Sequence, residues 1–188
     1  VAIAYSEGMQ NGHISAGLRV QHALFDKLVY SKIRHLMGGN VDAAISGGAP
    51  LGERLGHFFR GAGVRVLEGY GLTETAAPSH SNPTDAAKQQ CLGIPFLSAE
   101  CRVVNPQTLA PLGVGEVGEI LIHGPMVFEG YWRNPEATAK TLREGWLYTG
   151  DVGVLDAEGF LTLKDRSKDV IISGGSNIYP REVEEALL

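Results

Sequence analysis

The stretch Glu68 to Thr75, EGYGLTET, sets two glycines, a tyrosine, two threonines and two glutamates within eight positions. Gly69 and Gly71 free the backbone on either side of Tyr70, whose ring could stack on a flat base as an exposed aromatic on a loop. Thr73 offers a hydroxyl to a phosphate oxygen. Glu74 is a hard oxygen ligand suited to magnesium, an ion that binds phosphates together with one or two carboxylates. One loop would then hold base, phosphate and metal. The same octapeptide also reads as a polar turn around a half-buried tyrosine, and taken alone it leaves that choice open.

Other short constellations carry weaker signals. SGGAPL, Ser46 to Leu51, follows a strand-like run; ligands of open parallel sheets bind beyond the carboxyl ends of strands, although a tight strand-to-helix turn explains the segment equally well. YTGDVG places Asp151 at a strand end, where a carboxylate can accept both hydroxyls of a ribose or simply cap a turn. DRSKDVIISGGSN packs Asp165, Arg166, Lys168 and Asp169 directly before an apolar strand and a paired-glycine turn, which a solvated linker rarely does. GVGEVG, Gly113 to Gly118, matches G-x-G-x-x-G, but that fingerprint needs a helix after it and here EILIHG follows. It is read as a glycine-rich hairpin turn. The six histidines are scattered singly, with His80 alone close to the Glu68 to Thr75 loop, and no Ser/His/Asp or Cys/His set stands out.

These residues need elements to position them. Arg19 to Met37 spaces Leu24, Leu28, Ile33 and Leu36 at helical intervals and ends at Gly38-Gly39. VDAAISGG, PLGERLGHFFRGAG and VRVLEGYG then read as strand, helix and strand, the pattern of a parallel sheet. Beyond Pro78, AECRVV, EVGEILIHG, GWLYTGD and GFLTLKD are short strands broken by turns, with one helix, PEATAKTL, between them. A last helix opens at Pro180 with acidic residues in its first turn, favoured by the helix dipole. The expected fold class is α/β: part of a parallel sheet flanked by helices, a small distorted β-barrel-like subdomain, and the start of an α+β C-terminal domain. The corresponding boundaries are 1–97, 98–165 and 166–188.

Composition restricts the partners. With 44% hydrophobic residues, a net charge of −5 and no charged block, the 188-residue chain can bury a core and lacks a nucleic-acid footprint. No apolar run approaches a membrane span, so only peripheral membrane contact is allowed. Cys91 and Cys101 show neither metal-ligand spacing nor a disulfide framework. The expected compartment is the cytoplasm, and both ends read as cuts within a longer protein.

In this order, SGGAPL, EGYGLTET, GEVGEILIHGP, GYWRNPEAT, GWLYTGD and DRSKDVIISGGSNIYPREVE resemble the motifs of the adenylate-forming superfamily, closest to bacterial long-chain fatty-acid CoA ligases. The resemblance implies a two-step reaction in which a carboxylate attacks the α-phosphate of ATP, giving acyl-AMP and pyrophosphate, and the thiol of coenzyme A then displaces AMP. By the same resemblance Gly47, Gly48 and Ala49 would line the adenine and acyl pocket. Glu68, Gly69, Tyr70 and Gly71 would border the adenine, Thr73 would touch phosphate, and Glu74 would bind magnesium. Asp151 would take the ribose hydroxyls with Arg166 in support, and Lys168 would be the hinge about which a small domain turns. Gly174 and Gly175 would meet coenzyme A, and Asn177 would face the nucleotide. Implied partners are a fatty acid or related carboxylic acid, ATP and coenzyme A.

Two rivals are an adenylation domain that loads a carrier protein and a non-catalytic nucleotide-binding module. The family's phosphate loop would precede Val1, and its carboxylate-neutralising lysine would follow Leu188. Losing one preorganised charge of that kind costs about 2.7 to 4 kcal/mol of barrier. The 188-residue chain on its own should therefore release little or no pyrophosphate from ATP with fatty acid; brisk turnover in a pyrophosphate assay would contradict this.

Overall fold

The first helix, α1 (Ala2–Gln10), has no strong signature in the sequence, because Glu7 and Gly8 interrupt its apolar residues and no side chain caps it. It forms in the computed structural model, which describes residues 1–49, 51–173 and 176–187, because its neighbours bury Ala2 and Ser6. The chain divides into two units, 1–68 and 69–188. In the first, α2 (Ala16–Phe25), a π-helical turn (Asp26–Tyr30) and α3 (Ser31–Leu36) make one helical run where the spacing predicts a single helix. The wide turn changes which residues face inward. Tyr30 joins Ala2 and Ala62 in a small core with Ile33 against it, whereas Leu24, Leu28 and Leu36 stay exposed. Arg34 ties the run down, donating to both Asp26 carboxylate oxygens at 2.7 and 3.1 Å and to the Ala62 carbonyl at 2.5 Å.

Strand β1 (Ala43–Ser46), helix α4 (Glu53–Gly61) and strand β2 (Arg65–Gly71) form the expected strand-helix-strand unit. The strands pair in parallel, from Ala43 with Arg65 to Ser46 with Glu68. Helix α4 packs on α1, where a side chain at Gly61 would meet the Ala2 carbonyl. Ser6 Oγ and His57 Nδ1 lie 2.9 Å apart in this contact, and His57 Nε2 is 3.7 Å from Glu53. A serine, histidine and glutamate thus fall in line, a grouping invisible in sequence because 51 positions separate Ser6 from His57. The Ser6 hydroxyl is fully buried, so the set is a packing link between helices.

In the second unit the end of β2 pairs antiparallel with β3 (Pro78–Ser81), which pairs with β4 (Ile94–Pro95). Next come β5 (Glu100–Val104), β6 (Gly118–His123), α5 (Pro135–Thr141), β7 (Leu142–Arg143), β8 (Trp146–Leu155) and β9 (Leu161–Arg166). They build a five-stranded antiparallel sheet in the order β5-β6-β8-β7, with β9 also on β8. Bulges between Glu119 and Leu121 and between Val152 and Gly153 curl this sheet. GVGEVG is followed by β6, as a hairpin turn requires, and Glu116 accepts from the Gly113 amide at 2.6 Å. The curled sheet closes over Tyr70, Leu92, Val103, Ile120, Ile122, Leu147 and Leu161. Burying each large aliphatic side chain contributes about 1.5 to 3 kcal/mol. An antiparallel pair of strands, β10 (Ile171–Ser173) and β11 (Ser176–Ile178), and helix α6 (Pro180–Leu187) follow, with Lys164 reaching Glu182 at 3.0 Å. Among the described residues no helix is long and apolar enough to cross a membrane.

Gly93 joins the loop before β4 to β9, bridging Leu161. Its φ is +89°, and a Cβ there would lie 2.0 to 2.2 Å from backbone atoms of Ser81 and Asn82. Gly93→Ala is expected to destabilise the protein by about 2 to 4 kcal/mol through left-handed strain and overpacking. The check is the urea midpoint of unfolding, which should fall.

Candidate functional site

Tyr70 is not the exposed loop aromatic that its glycine neighbours suggest. It lies within β2, is 6% exposed and packs in the core of the curled sheet. The reason is tertiary: pairing with His80 of β3 continues the strand to Gly71, and the curled sheet covers the ring. Its hydroxyl donates to Asp151 Oδ2 at 2.6 Å, across 81 positions of sequence. Burial, followed by the charge of Asp151, holds the phenol well above its ordinary pKa, so it stays a donor.

Asp151 likewise departs from the strand-end position read from YTGD. It sits inside the ten-residue strand β8, which runs on because β9 takes over as its partner, with Asp151 opposite Arg166. Arg166 Nε stands 3.6 Å from Asp151 Oδ1. Gly150, at φ +70°, kinks the strand, and its amide donates to Glu119 at 3.2 Å. Thr149 donates to the Ile120 carbonyl at 2.7 Å and accepts from the Asp151 amide at 3.1 Å. Burial raises the Asp151 pKa; the phenol and Arg166 oppose that shift, and Glu74 adds to it. Glu119 is raised too, first by burial, with Asp151 also contributing.

Thr73 and Glu74 stand on a single 3-10 turn, Thr73–Thr75. Buried Thr75 builds it: its Oγ1 accepts from the Leu72 amide at 2.9 Å and donates toward the carbonyls of Leu72 and Ala77. Thr73 is left exposed. Glu74 Oε1 accepts from the Tyr131 hydroxyl at 2.6 Å, and the Glu74 carbonyl accepts from the Phe128 amide at 2.8 Å. A cavity of about 360 Å³ opens between Glu74, Tyr131, Glu119, Arg143 and Gly150. Among the described residues no group of three or more His, Cys, Asp or Glu side chains could cage a metal. A lone hard carboxylate such as Glu74 nevertheless suits magnesium, which takes most of its ligands from phosphates and water.

Tyr70, Glu74, Asp151 and Arg166 are therefore linked in the second unit by a hydrogen bond, strand pairing or mutual charge, and Gly71 follows Tyr70 at the end of β2. Gly69 precedes Tyr70 on β2, paired with Ser81. Gly47, Gly48 and Ala49 follow β1 in the first unit, exposed, with Gly48 at φ +82°. Glu68, also in the first unit, is buried and accepts from the Leu51 amide at 3.0 Å. Lys168 is exposed in the turn after β9, where the Ser167 amide donates to the Gly150 carbonyl at 2.8 Å. Asn177 is exposed on β11. Gly174 and Gly175 lie outside the described residues. Sequence reasoning missed Tyr131, Glu119, Thr75 and Arg143. Tyr131 lay in the GYWRNPEAT motif without a role, and Glu119 and His123 were the polar residues of an otherwise apolar strand. His80 is fully buried; its Nδ1 lies 2.9 Å from Ser79 Oγ, its Nε2 has no partner among the described residues, and burial lowers its pKa to about 4.

The sequence profile of the AMP-binding enzymes matches residues 14–132. The chain belongs to the AMP-binding enzyme family. This AMP-binding chain is 43% identical to the long-chain-fatty-acid–CoA ligase FadD15 of Mycobacterium bovis, over 99% of its own length and 29% of the relative's. ATP-bound MatB from Rhodopseudomonas palustris superposes with a TM-score of 0.70 at 40% identity, over 74% of this chain and 28% of that one. O-succinylbenzoate coenzyme A synthetase of Bacillus subtilis, in complex with ATP and magnesium, gives 0.72 at 34% identity, over 84% and 34%. The chain thus spans about a third or less of each of these proteins, and the family and fold expected from the motif order are those found.

The folded state keeps the Asp151 proton to higher pH than the unfolded chain, so this residue's contribution to stability falls as pH rises from the ordinary carboxylate range through the raised value. Above that window the buried anion is a constant cost. Asp151→Asn keeps an acceptor for Tyr70 and removes the charge. Its thermal midpoint should exceed the wild type's at pH 7, with the gap shrinking to nothing on acidification below the carboxylate range.

Proposed function

We propose that this chain supplies the adenosine-facing and magnesium-facing part of an ATP-dependent acyl-CoA ligase acting on long-chain fatty acids. In the first half-reaction a carboxylate oxygen of the acid bonds to the α-phosphorus of ATP and pyrophosphate leaves. In the second, the thiol of coenzyme A bonds to the acyl carbonyl carbon and AMP leaves. The observation that carries the reading is the Tyr70 hydroxyl held 2.6 Å from Asp151 beside Arg166. Asp151 Oδ2 is occupied by the phenol, which leaves Oδ1 to accept from a ribose hydroxyl, with Arg166 tempering the charge. Tyr70 would border the adenosine by its polar edge, since stacking a base on a ring only 6% exposed would require its face to open. Magnesium bound at Glu74 would neutralise phosphate charge, and exposed Thr73 would donate to a phosphate oxygen.

In the first unit Gly47, Gly48, Ala49 and Glu68 would face adenine and the acid, in the second Gly69 and Gly71 would border adenine, and Lys168 would be the pivot just after the expected boundary between 165 and 166. Gly174 and Gly175 would meet coenzyme A, and Asn177 would face the nucleotide. Reactions of this kind need positioning and charge neutralisation more than a protein nucleophile, and the buried Ser6–His57 pair supplies no accessible one. Support for a fatty-acid substrate is the 43% identity to a long-chain ligase along nearly the whole chain.

The reading is tested in the full-length protein by calorimetry with a non-hydrolysable acyl-adenylate analogue. Asp151→Ala and Tyr70→Ala should each weaken binding by about tenfold or more, the loss of a hydrogen bond to a charged group. Affinity unchanged by both substitutions would refute the assignment.

A further inference from the structure

We infer that Tyr131 is the positioning residue that presents the Glu74 carboxylate to a divalent cation with only one oxygen free. The inference rests on Glu74 facing magnesium as proposed above, and it gives a role to a residue that had none in the sequence motifs.

Three observations converge. The Tyr131 hydroxyl donates to Glu74 Oε1 at 2.6 Å across 57 positions of sequence. The same loop grips the main chain of Glu74, through the Phe128 amide at 2.8 Å, and the Phe128 ring meets Tyr131 edge-on at 4.8 Å between centroids. Tyr131 is itself held from behind. Its amide donates to Thr138 Oγ1 at 2.9 Å, Thr138 donates to the Asn134 carbonyl at 2.9 Å, and Asn134 caps α5 by accepting from the Ala137 amide at 3.1 Å. Gly130, at φ +147°, lets the loop pass so close to Thr138 that a Cβ would collide with that side chain.

A glutamate on a one-turn helix has three free torsions and two equivalent oxygens. Fixing Oε1 with a donor removes most of that freedom and directs Oε2 toward any cation in the adjoining cavity. Such groups behind a metal ligand commonly govern affinity without touching the metal. Magnesium demands near-ideal octahedral geometry, and a carboxylate limited to one oxygen satisfies that better than a chelating one.

The test counts free Mn²⁺ by electron paramagnetic resonance, with the full-length protein and α,β-methylene-ATP present. Glu74→Gln should weaken Mn²⁺ binding, and Tyr131→Phe, which keeps the ring against Phe128, should weaken it about tenfold with an unchanged thermal midpoint. The double variant should be no weaker than Glu74→Gln alone, because the phenol acts only through that carboxylate. Mn²⁺ affinity unaltered by Tyr131→Phe while Glu74→Gln weakens it would overturn the role of Tyr131 and leave the magnesium assignment intact. An equal further loss in the Glu74→Gln background would overturn it in the same way. No effect of Glu74→Gln would remove the magnesium assignment and this inference together.

Discussion

A carboxylate taken out of water inside an antiparallel sheet must find partners or give up its charge, and Asp151 is in that position. The phenol of Tyr70 caps one of its oxygens, Arg166 faces the other from the adjacent strand, and the Thr149 hydroxyl and Gly150 turn set the backbone from which it projects. Much of the second unit follows from meeting these demands. β2 must extend to Gly71 to bring the phenol in, β8 must bend at Gly150 without ending, and β9 must register Arg166 opposite Asp151.

The arrangement is costly to stability in a way typical of binding sites. Burial raises the pKa of both Asp151 and Glu119, and Glu74 adds negative charge nearby. The excess of carboxylates, tempered by Arg166 at Asp151 and by Arg143 at Glu119, is only partly balanced by the protein itself. It suits hydroxyl donors and a metal cation, the groups that the proposed magnesium nucleotide would bring. The Gly124 to Asn134 loop follows the same logic: bonds from Phe128 and Tyr131 hold Glu74 in one orientation although its turn is only three residues long.

Much of the architecture was legible in local sequence. The strand-helix-strand unit, the short strands after Pro78, the hairpin reading of GVGEVG and the helix at Pro180 all rest on glycine, proline and apolar periodicity, signals that act within a few residues. Helix α1 was not legible, because its formation depends on burial against α4 more than on its own composition. The helical run from Ala16 to Leu36 was legible as a helix but not in its facing, since the π-helical turn rotates Tyr30 and Ile33 inward and leaves Leu24 and Leu28 outside.

For the candidate site the division is similar. Motif order by itself determined the family and brought Tyr70, Glu74, Asp151 and Arg166 forward as residue types able to meet a base, a metal and a ribose. Only the tertiary structure decided that Tyr70 is a buried hydrogen-bond donor, that Asp151 lies within a strand, and that Tyr131 and Glu119 stand behind the site. The physical reason is range. Residue chemistry and turn preference are local properties, whereas burial, strand register and a hydrogen bond spanning 57 or 81 positions exist only once the curled sheet has closed.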